Sequence, residues 1–265
     1  MGVYLIGGNE DRAGRCEVLQ GFLEACGGEE AKVMVIPVAS RNTEETGEVY
    51  LRIFSRLGAK QVEVVAPATR KEANREALAS LVEEATAVFF TGGDQLRLTS
   101  LLGGTNLDRA LHRAFRRGTL MGGTSAGAAA MSSTMIVSGE EEVAPRVNVV
   151  HLAPGLGFIR EVIVDQHFAQ RGRLGRLLAA LAHNPYVLGL GIDEDTAVWV
   201  DGGRLRVIGS GTVTVVDGFS IEHTNISMAG NEPLALTGVS LHVLPAGYGF
   251  NLDTRRPLLP FRPAV

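Results

Sequence analysis

The chain has 265 residues, 45% of them apolar and 20% charged, with 29 acidic against 25 basic residues and a formal net charge of -4. That composition excludes a disordered chain and offers no general basic surface for nucleic acid or a membrane. Cys16 and Cys26, the two cysteines, form neither a CxxC motif nor a zinc-ligand pattern, and no apolar run reaches membrane-spanning length.

The opening Val3-Tyr4-Leu5-Ile6-Gly7-Gly8 follows no basic stretch and no long apolar core, so it reads as a first strand and not a signal peptide. The expected location is cytoplasmic. Further apolar runs at 33–37, 62–65, 87–90 and 120–122, bounded by Gly, Pro or polar residues, predict strands. Between the strands, helical spacing covers 12–25, 43–57, 71–85, 95–102 and 107–117. In the second of these, Val49, Ile53 and Leu57 fall on one face. Alternation of this kind predicts an α/β fold, with a mostly parallel central sheet covered by helices on both faces.

The second half predicts sheet strands at 162–165 and 187–192 around a helix over 174–183. From Thr196 the pattern is β-rich, with strands at 197–200, 205–208, 213–216 and 240–244 and a tight turn at Asp201-Gly202-Gly203. It reads as an antiparallel C-terminal extension of the sheet, followed by an irregular surface tail over 255–263. No repeat, low-complexity tract or break in composition marks a linker, so a single domain over 1–265 is expected.

A strand ending in Gly122-Gly123-Thr124 leads into Ser125-Ala126-Gly127 and an alanine-rich helical stretch. Gly123 and Gly127 flank Ser125 in the G-x-S-x-G pattern of a nucleophile elbow, in which small neighbours let a strained serine project from a sharp strand-to-helix turn. As a plain capping serine the residue would need no such neighbours. A serine hydroxyl needs a base, and among six histidines His167 directly follows a strand, at the sheet edge expected for Ser125. The base in turn needs an acid, and Asp193, Glu194 and Asp195 end another strand; alternation does not choose among them.

Thr91-Gly92-Gly93-Asp94-Gln95 closes a further strand with a diglycine suited to an oxyanion hole. Gly7-Gly8 resembles it but reads as an ordinary tight turn, and neither segment fits a dinucleotide fingerprint. Arg171, Arg173 and Arg176 follow His167 within a short span. Such a run is commonly a solvated face; beside a catalytic histidine it would receive carboxylates in bidentate geometry. No cluster has metal-ligand spacing, so no metal and no cofactor are expected.

Taken together, Leu5-Ile6-Gly7-Gly8-Asn9-Glu10, Thr91-Gly92-Gly93-Asp94-Gln95, Gly123-Thr124-Ser125-Ala126-Gly127-Ala128, Asp165-Gln166-His167-Phe168 with the three arginines, and Gly191-Ile192-Asp193-Glu194-Asp195-Thr196-Ala197 resemble the cyanophycinase family of serine exopeptidases, related to the aspartyl dipeptidases. The resemblance runs from the first strand to about residue 200. It implies Ser125 as nucleophile, His167 as base and Glu194 as orienting acid. It also implies a substrate-binding set of Gly92, Gly93, Asp94, Gln95, Asp165, Gln166, Arg171, Arg173 and Arg176. The substrate implied is cyanophycin, a poly-aspartate carrying arginine on its side-chain carboxyls, cleaved to β-Asp-Arg dipeptides. Glu10, Asp94 or Asp165 would pair its guanidinium groups. A homodimer is implied as well; that neither nucleic acid nor a membrane is a partner is expected from the charge balance and the short apolar runs. The alternatives are an α-aspartyl dipeptidase sharing Ser125, and a non-catalytic amidotransferase-like binding domain in which Ser125 is a cap.

Overall fold

The computed structural model describes residues 2–141, 144–228, 230 and 232–260. The first half contains β1 (Val3–Ile6), α1 (Glu17–Ala25), β2 (Lys32–Ile36), α2 (Thr43–Arg56), β3 (Gln61–Val64), α3 (Arg70–Ala73) and α4 (Glu76–Leu81). It continues through β4 (Ala87–Phe90), α5 (Gln95–Leu102), α6 (Asn106–Arg117), β5 (Leu120–Thr124) and α7 (Ala126–Ala129). The second half contains β6 (Thr134–Gly139), β7 (Val150–Pro154), β8 (Val162–Gln166), α8 (Leu174–His183), β9 (Leu188–Ile192) and β10 (Thr196–Asp201). The chain then forms β11 (Arg204–Gly209), β12 (Thr212–Asp217), β13 (His223–Thr224), β14 (Leu236–Thr237), β15 (Ser240–Pro245), β16 (Gly249–Asn251) and β17 (Arg256–Leu258).

A nine-stranded sheet runs β17-β16-β11-β10-β1-β5-β4-β2-β3. The five strands from β1 to β3 in that order pair in parallel, and β10, β11, β16 and β17 extend the sheet antiparallel. The alternation of strand side chains fills both faces: Val3 and Leu5 enter one core, Tyr4 and Ile6 the other. In the second core the fully buried Phe22 and Phe89 lie edge to face with centroids 5.2 Å apart. Burying each such side chain stabilises the fold by about 1.5–3 kcal/mol.

Strands at 162–165 and 187–192 do not extend the central sheet. They belong to a separate four-stranded sheet, β15-β12-β9-β8, in which β8 and β9 are parallel. One of its faces, through Val162, Val164, Leu190 and Val213, closes over the first core. Its other face packs α8 and the β6–β7 hairpin through Ile163, Leu177, Leu181 and Ile136.

Local chemistry moved several expected boundaries. The helix expected over 12–25 begins at Glu17, because the Asp11 carboxylate accepts N–H bonds from Ala13, Gly14 and Cys16 and holds that stretch in a turn. Cys16 and Cys26 therefore bracket α1; Cys16 is buried, and burial pushes the half-buried Cys26 thiol up to about 12. The helix expected over 71–85 is broken at Asn74, whose side chain and carbonyl serve the N-terminus of α6 at Asn106. Part of the tail expected to be irregular, β17, pairs with β16, and the β6–β7 hairpin gave no sequence signal. The alanine-rich helix after Ser125 is a single turn. Its continuation is taken apart by Leu156 and Ile159, whose N–H groups bond the carbonyls of Ala130 and Met131 at 2.7 and 3.0 Å.

Candidate active site

Register brings the site together. Ile6 pairs with Thr124 and Phe90 with Gly123, so the turns after β1, β5 and β4 leave the central sheet side by side. In the second sheet Gln166 pairs with Ile192, which puts His167 beside the 193–195 connection. That connection crosses from β9 of one sheet to β10 of the other. The site is the seam between the sheets, stitched by backbone bonds from His167 N to Gly7 O (2.8 Å) and Asp195 N to Gly8 O (2.9 Å).

Ser125 sits at φ 52°, ψ −116°, with its N–H bonded to Ile6 O at 2.9 Å. A non-glycine residue in this region is strained and persists only where its surroundings over-determine it. Those surroundings are tight: a Cβ on Gly123 would fall 2.6 Å from Gly127 C, and one on Gly127 would fall 2.8 Å from Phe90 C. Because α7 is one turn long, the field of a long helix adds little here, and individual N–H groups carry the electrostatics.

Ser125 Oγ lies 2.9 Å from His167 Nε2, and His167 Nδ1 lies 2.7 Å from Glu194 Oε1. Asn9 donates to the second Glu194 oxygen at 2.8 Å. Hydrogen bonds from His167 and Asn9 hold the Glu194 carboxyl below the usual carboxylate range. Of the three acids that pattern left open, Glu194 meets the imidazole. Asp193 turns inward to Ala169 N, Thr212 N and Thr212 Oγ1, and Asp195, at φ 48°, accepts from Asp11 N and Ser210 Oγ. Both brace the connection that presents Glu194.

Gly92 stands against Ser125, with a Cβ there 3.3 Å from Ser125 Cβ, and Gly93, at φ +141°, packs on Ala39. Their neighbours differ from the expectation. The Asp94 carboxylate caps α5, with Oδ1 accepting from Leu96 N and Arg97 N. Gln95 donates its amide to Ile136 O and Val137 O at 2.8 and 3.0 Å, fastening β6.

The arginines separate into two kinds. Arg173 and Arg176 are buried. Arg176 makes a two-pronged pair with the buried Asp165 through Nε (2.7 Å) and Nη2. Arg173 donates to Gln166 O (2.6 Å), Gln166 Oε1 (3.0 Å) and the Glu141 carboxylate. Arg173, Arg176 and Asp165, expected to bind substrate groups, are paired with one another and with Gln166 and Glu141, as buried charges are costly unless matched. Burial raises the Glu141 carboxyl, but bonding to Arg173 and the nearby arginine charges outweigh it and hold it below its ordinary value. Arg171 stays exposed, 3.7 Å from Glu141. Gln166 also reaches the serine, with Oε1 3.5 Å from Ser125 Oγ.

Glu10 likewise does not face outward. It is buried, accepting from Thr124 Oγ1 at 2.6 Å, from Tyr50 OH and from Arg12 Nε at 3.1 Å. Sequence reasoning gave no role to Asn9, Arg12 or Tyr50, and took Gly7-Gly8 for a plain turn. The available signal was positional: Gly7-Gly8 ends a buried strand in the same way as the Gly92-Gly93 turn. The cleft lined by Asn9, Arg12, Gly92, Thr124, Ser125, His167 and Glu194 has a volume of about 460 Å³. A larger concavity of about 1060 Å³, lined by Tyr186, Phe219 and Arg255 among others, shares no residue with it. The convergence of a strained serine, an imidazole and a carboxylate, not cavity size, singles out this cleft as the candidate site.

The family model described as Peptidase family S51 matches residues 3–208. A cyanophycinase of Geminocystis herdmanii is 44% identical over 259 residues, covering 97% of this chain and 95% of the relative. A cyanophycinase of Trichormus variabilis is 43% identical over 259 residues, covering 97% and 87%. Among solved structures, a peptidase from an acI-B1 actinobacterium shares the fold with a TM-score of 0.69 at 22% identity, covering 94% of this chain and 96% of that one. A putative peptidase E protein from Listeria monocytogenes superposes with a TM-score of 0.53 at 16% identity, covering 79% and 98%.

Proposed function

Because the chain belongs to peptidase family S51 and is therefore a hydrolase, we propose that Ser125, His167 and Glu194 form its catalytic triad and that it hydrolyses cyanophycin to β-Asp-Arg dipeptides. The observation that carries this reading is the continuous relay of 2.9 Å and 2.7 Å from Ser125 Oγ through both imidazole nitrogens to Glu194. The substrate assignment rests on the cyanophycinases that match nearly the whole chain.

In this mechanism Ser125 Oγ attacks the scissile carbonyl carbon while its proton passes to His167 Nε2. Glu194 holds the Nδ1 proton and stabilises the imidazolium. Backbone N–H groups beside the cleft, with Gly92 and Gly93 as candidates, receive the oxyanion. His167 then protonates the departing nitrogen, leaving an acyl-enzyme on Ser125. Water, deprotonated by His167, attacks the acyl carbon, and the proton returns to Ser125 as the product leaves. Arg171, the exposed member of the arginine segment, meets a substrate carboxylate, and Gln166 lines the wall between it and the serine. Asp165, Arg173 and Arg176 hold that wall in place, and Asp94 and Gln95 shape the opposite side.

The test is incubation with insoluble cyanophycin and identification of the soluble product by mass, with Ser125→Ala as control. Release of β-Asp-Arg by the wild type alone is expected. Failure to release it, or preferential hydrolysis of simple Asp-X dipeptides, would replace this substrate with the aspartyl dipeptidase alternative.

A further inference from the structure

Beside the catalytic cleft lies a second cavity of about 500 Å³, lined by Arg12, Arg41, Asn42, Glu45, Thr46 and Tyr50 among others. Arg12 lines both spaces, so the two adjoin at this residue. Its guanidinium is fixed in place. The buried Glu10 accepts from its Nε at 3.1 Å and forms an ion pair with its Nη2 at 3.1 Å, and the Tyr50 ring centroid lies 5.0 Å away. Its backbone carbonyl accepts from Arg56 Nη2 at 2.6 Å. Even so, the side chain remains 46% exposed. A fixed cation with one edge paired and the other open is preorganised for a carboxylate.

The far wall is also built. Ser40 Oγ accepts from Thr46 Oγ1 at 2.8 Å and from Asn42 N at 3.1 Å, and Asp94 N donates to Ala39 O at 3.0 Å. The loop carrying Arg41 is thereby tied both to α2 and to the start of α5 beside Gly93. Across the cavity the charged lining is two guanidiniums, Arg12 and Arg41, and one carboxylate, Glu45, while the Tyr50 hydroxyl is taken by Glu10. Recognition chemistry of that kind suits a zwitterion, not a simple anion or an apolar group.

We propose that this second cavity is a substrate subsite for a zwitterionic unit, whose carboxylate is seated by Arg12 and Arg41 and whose cationic group is met by Glu45. The proposal rests on Ser125 being the reacting centre. For a chain of repeating aspartyl-arginine units, the occupant is the arginyl side branch of a unit beyond the two joined by the scissile bond, which a four-unit oligomer carries and a two-unit oligomer lacks.

The experiment compares β-Asp-Arg oligomers of two and four units on the wild type, Arg41→Gln and Glu45→Gln. Kinetics are measured in the active forms, and calorimetric affinity in the same proteins carrying Ser125→Ala. Arg41 and Glu45 are exposed, so folding is not at stake. The expected result is a loss on the order of tenfold per variant for the four-unit oligomer, the scale of one charge-assisted contact, and a much smaller loss for two units. Equal losses at both lengths, or no loss at either, overturn the subsite. Absence of cleavage by the wild type, with length-dependent affinity retained, overturns the proposed reaction and leaves the subsite standing.

Discussion

A Cβ built on Gly8 falls 2.5 Å from Nε2 of His167, the imidazole nitrogen that faces Ser125. Gly8 also holds φ +94°, a backbone region that side chains rarely adopt. Its carbonyl receives Asp195 N, so the residue fixes the imidazole from below and the Glu194 connection from the side. Gly8→Ala should therefore push the ring off the serine. The expected loss in kcat/KM is roughly 100-fold, the scale of a small misplacement of a reacting group. The φ strain adds about 1–2 kcal/mol of destabilisation. Steady-state kinetics beside a denaturant titration separate the two effects, and wild-type turnover in this variant would remove Gly8 from the site.

Ser125→Ala and His167→Ala should each remove roughly 10⁴-fold or more of the rate, and Glu194→Gln less, because the members of the proposed triad would act as a unit on one proton. Asp193→Asn should differ in kind. Asp193 accepts from Ala169 N and from both Thr212 groups, so its loss should lower the melting temperature before it lowers turnover. If Asp193→Asn is catalytically severe at unchanged stability while Glu194→Gln is mild, the acid has been misassigned.

The pH dependence follows from the direction of the Glu194 shift. Hydrogen bonds from His167 and Asn9 lower the folded-state value below the ordinary 4.5. A depressed carboxyl contributes stability that is fully present above its unfolded value and is lost as pH falls through the folded one. The contribution should hold at neutral pH and fade only below about 4.5, the unfolded reference. In Glu194→Gln that part of the acid destabilisation should be missing. Identical stability-versus-pH curves for the two proteins would count against the shift.

Asp165 and Arg176 form a pair whose side chains are 1% and 6% exposed. Removing Arg176 takes away the two-pronged partner of Asp165 and leaves it only Arg173 Nη1, at 3.5 Å, as a cation, so the cost should approach the roughly 3–5 kcal/mol typical of breaking a buried pair. Arg176→Met should therefore lower the urea midpoint sharply, whereas Arg171→Ala, at an exposed position, should change stability by less than about 0.5 kcal/mol. Arg171→Ala should instead raise KM for acidic substrate. Comparable destabilisation by the two substitutions would erase the distinction between wall and contact.

Local pattern sufficed for the parallel strands, the elbow glycines around Ser125, and the position of His167 at a strand end, because each depends on residues adjacent in the chain. Periodicity also placed most helices of the first half. It missed the turn at Asp11, whose carboxylate takes backbone donors from the expected helix, and the break at Asn74, whose side chain and carbonyl accept from Asn106 of a distant helix. The choice of Glu194 over Asp193 and Asp195 was not legible from alternation. It is made by which acids Thr212, Ser210 and Asp11 capture from other parts of the chain. The arginines illustrate the same limit. Three charges in a short run look equivalent in sequence, but the second sheet buries Arg173 and Arg176 against Asp165, Gln166 and Glu141 and leaves Arg171 outside. Sequence determined which reactive groups stand at strand ends; only tertiary packing decided which of them face each other, because burial matches each charge to a partner distant in the chain.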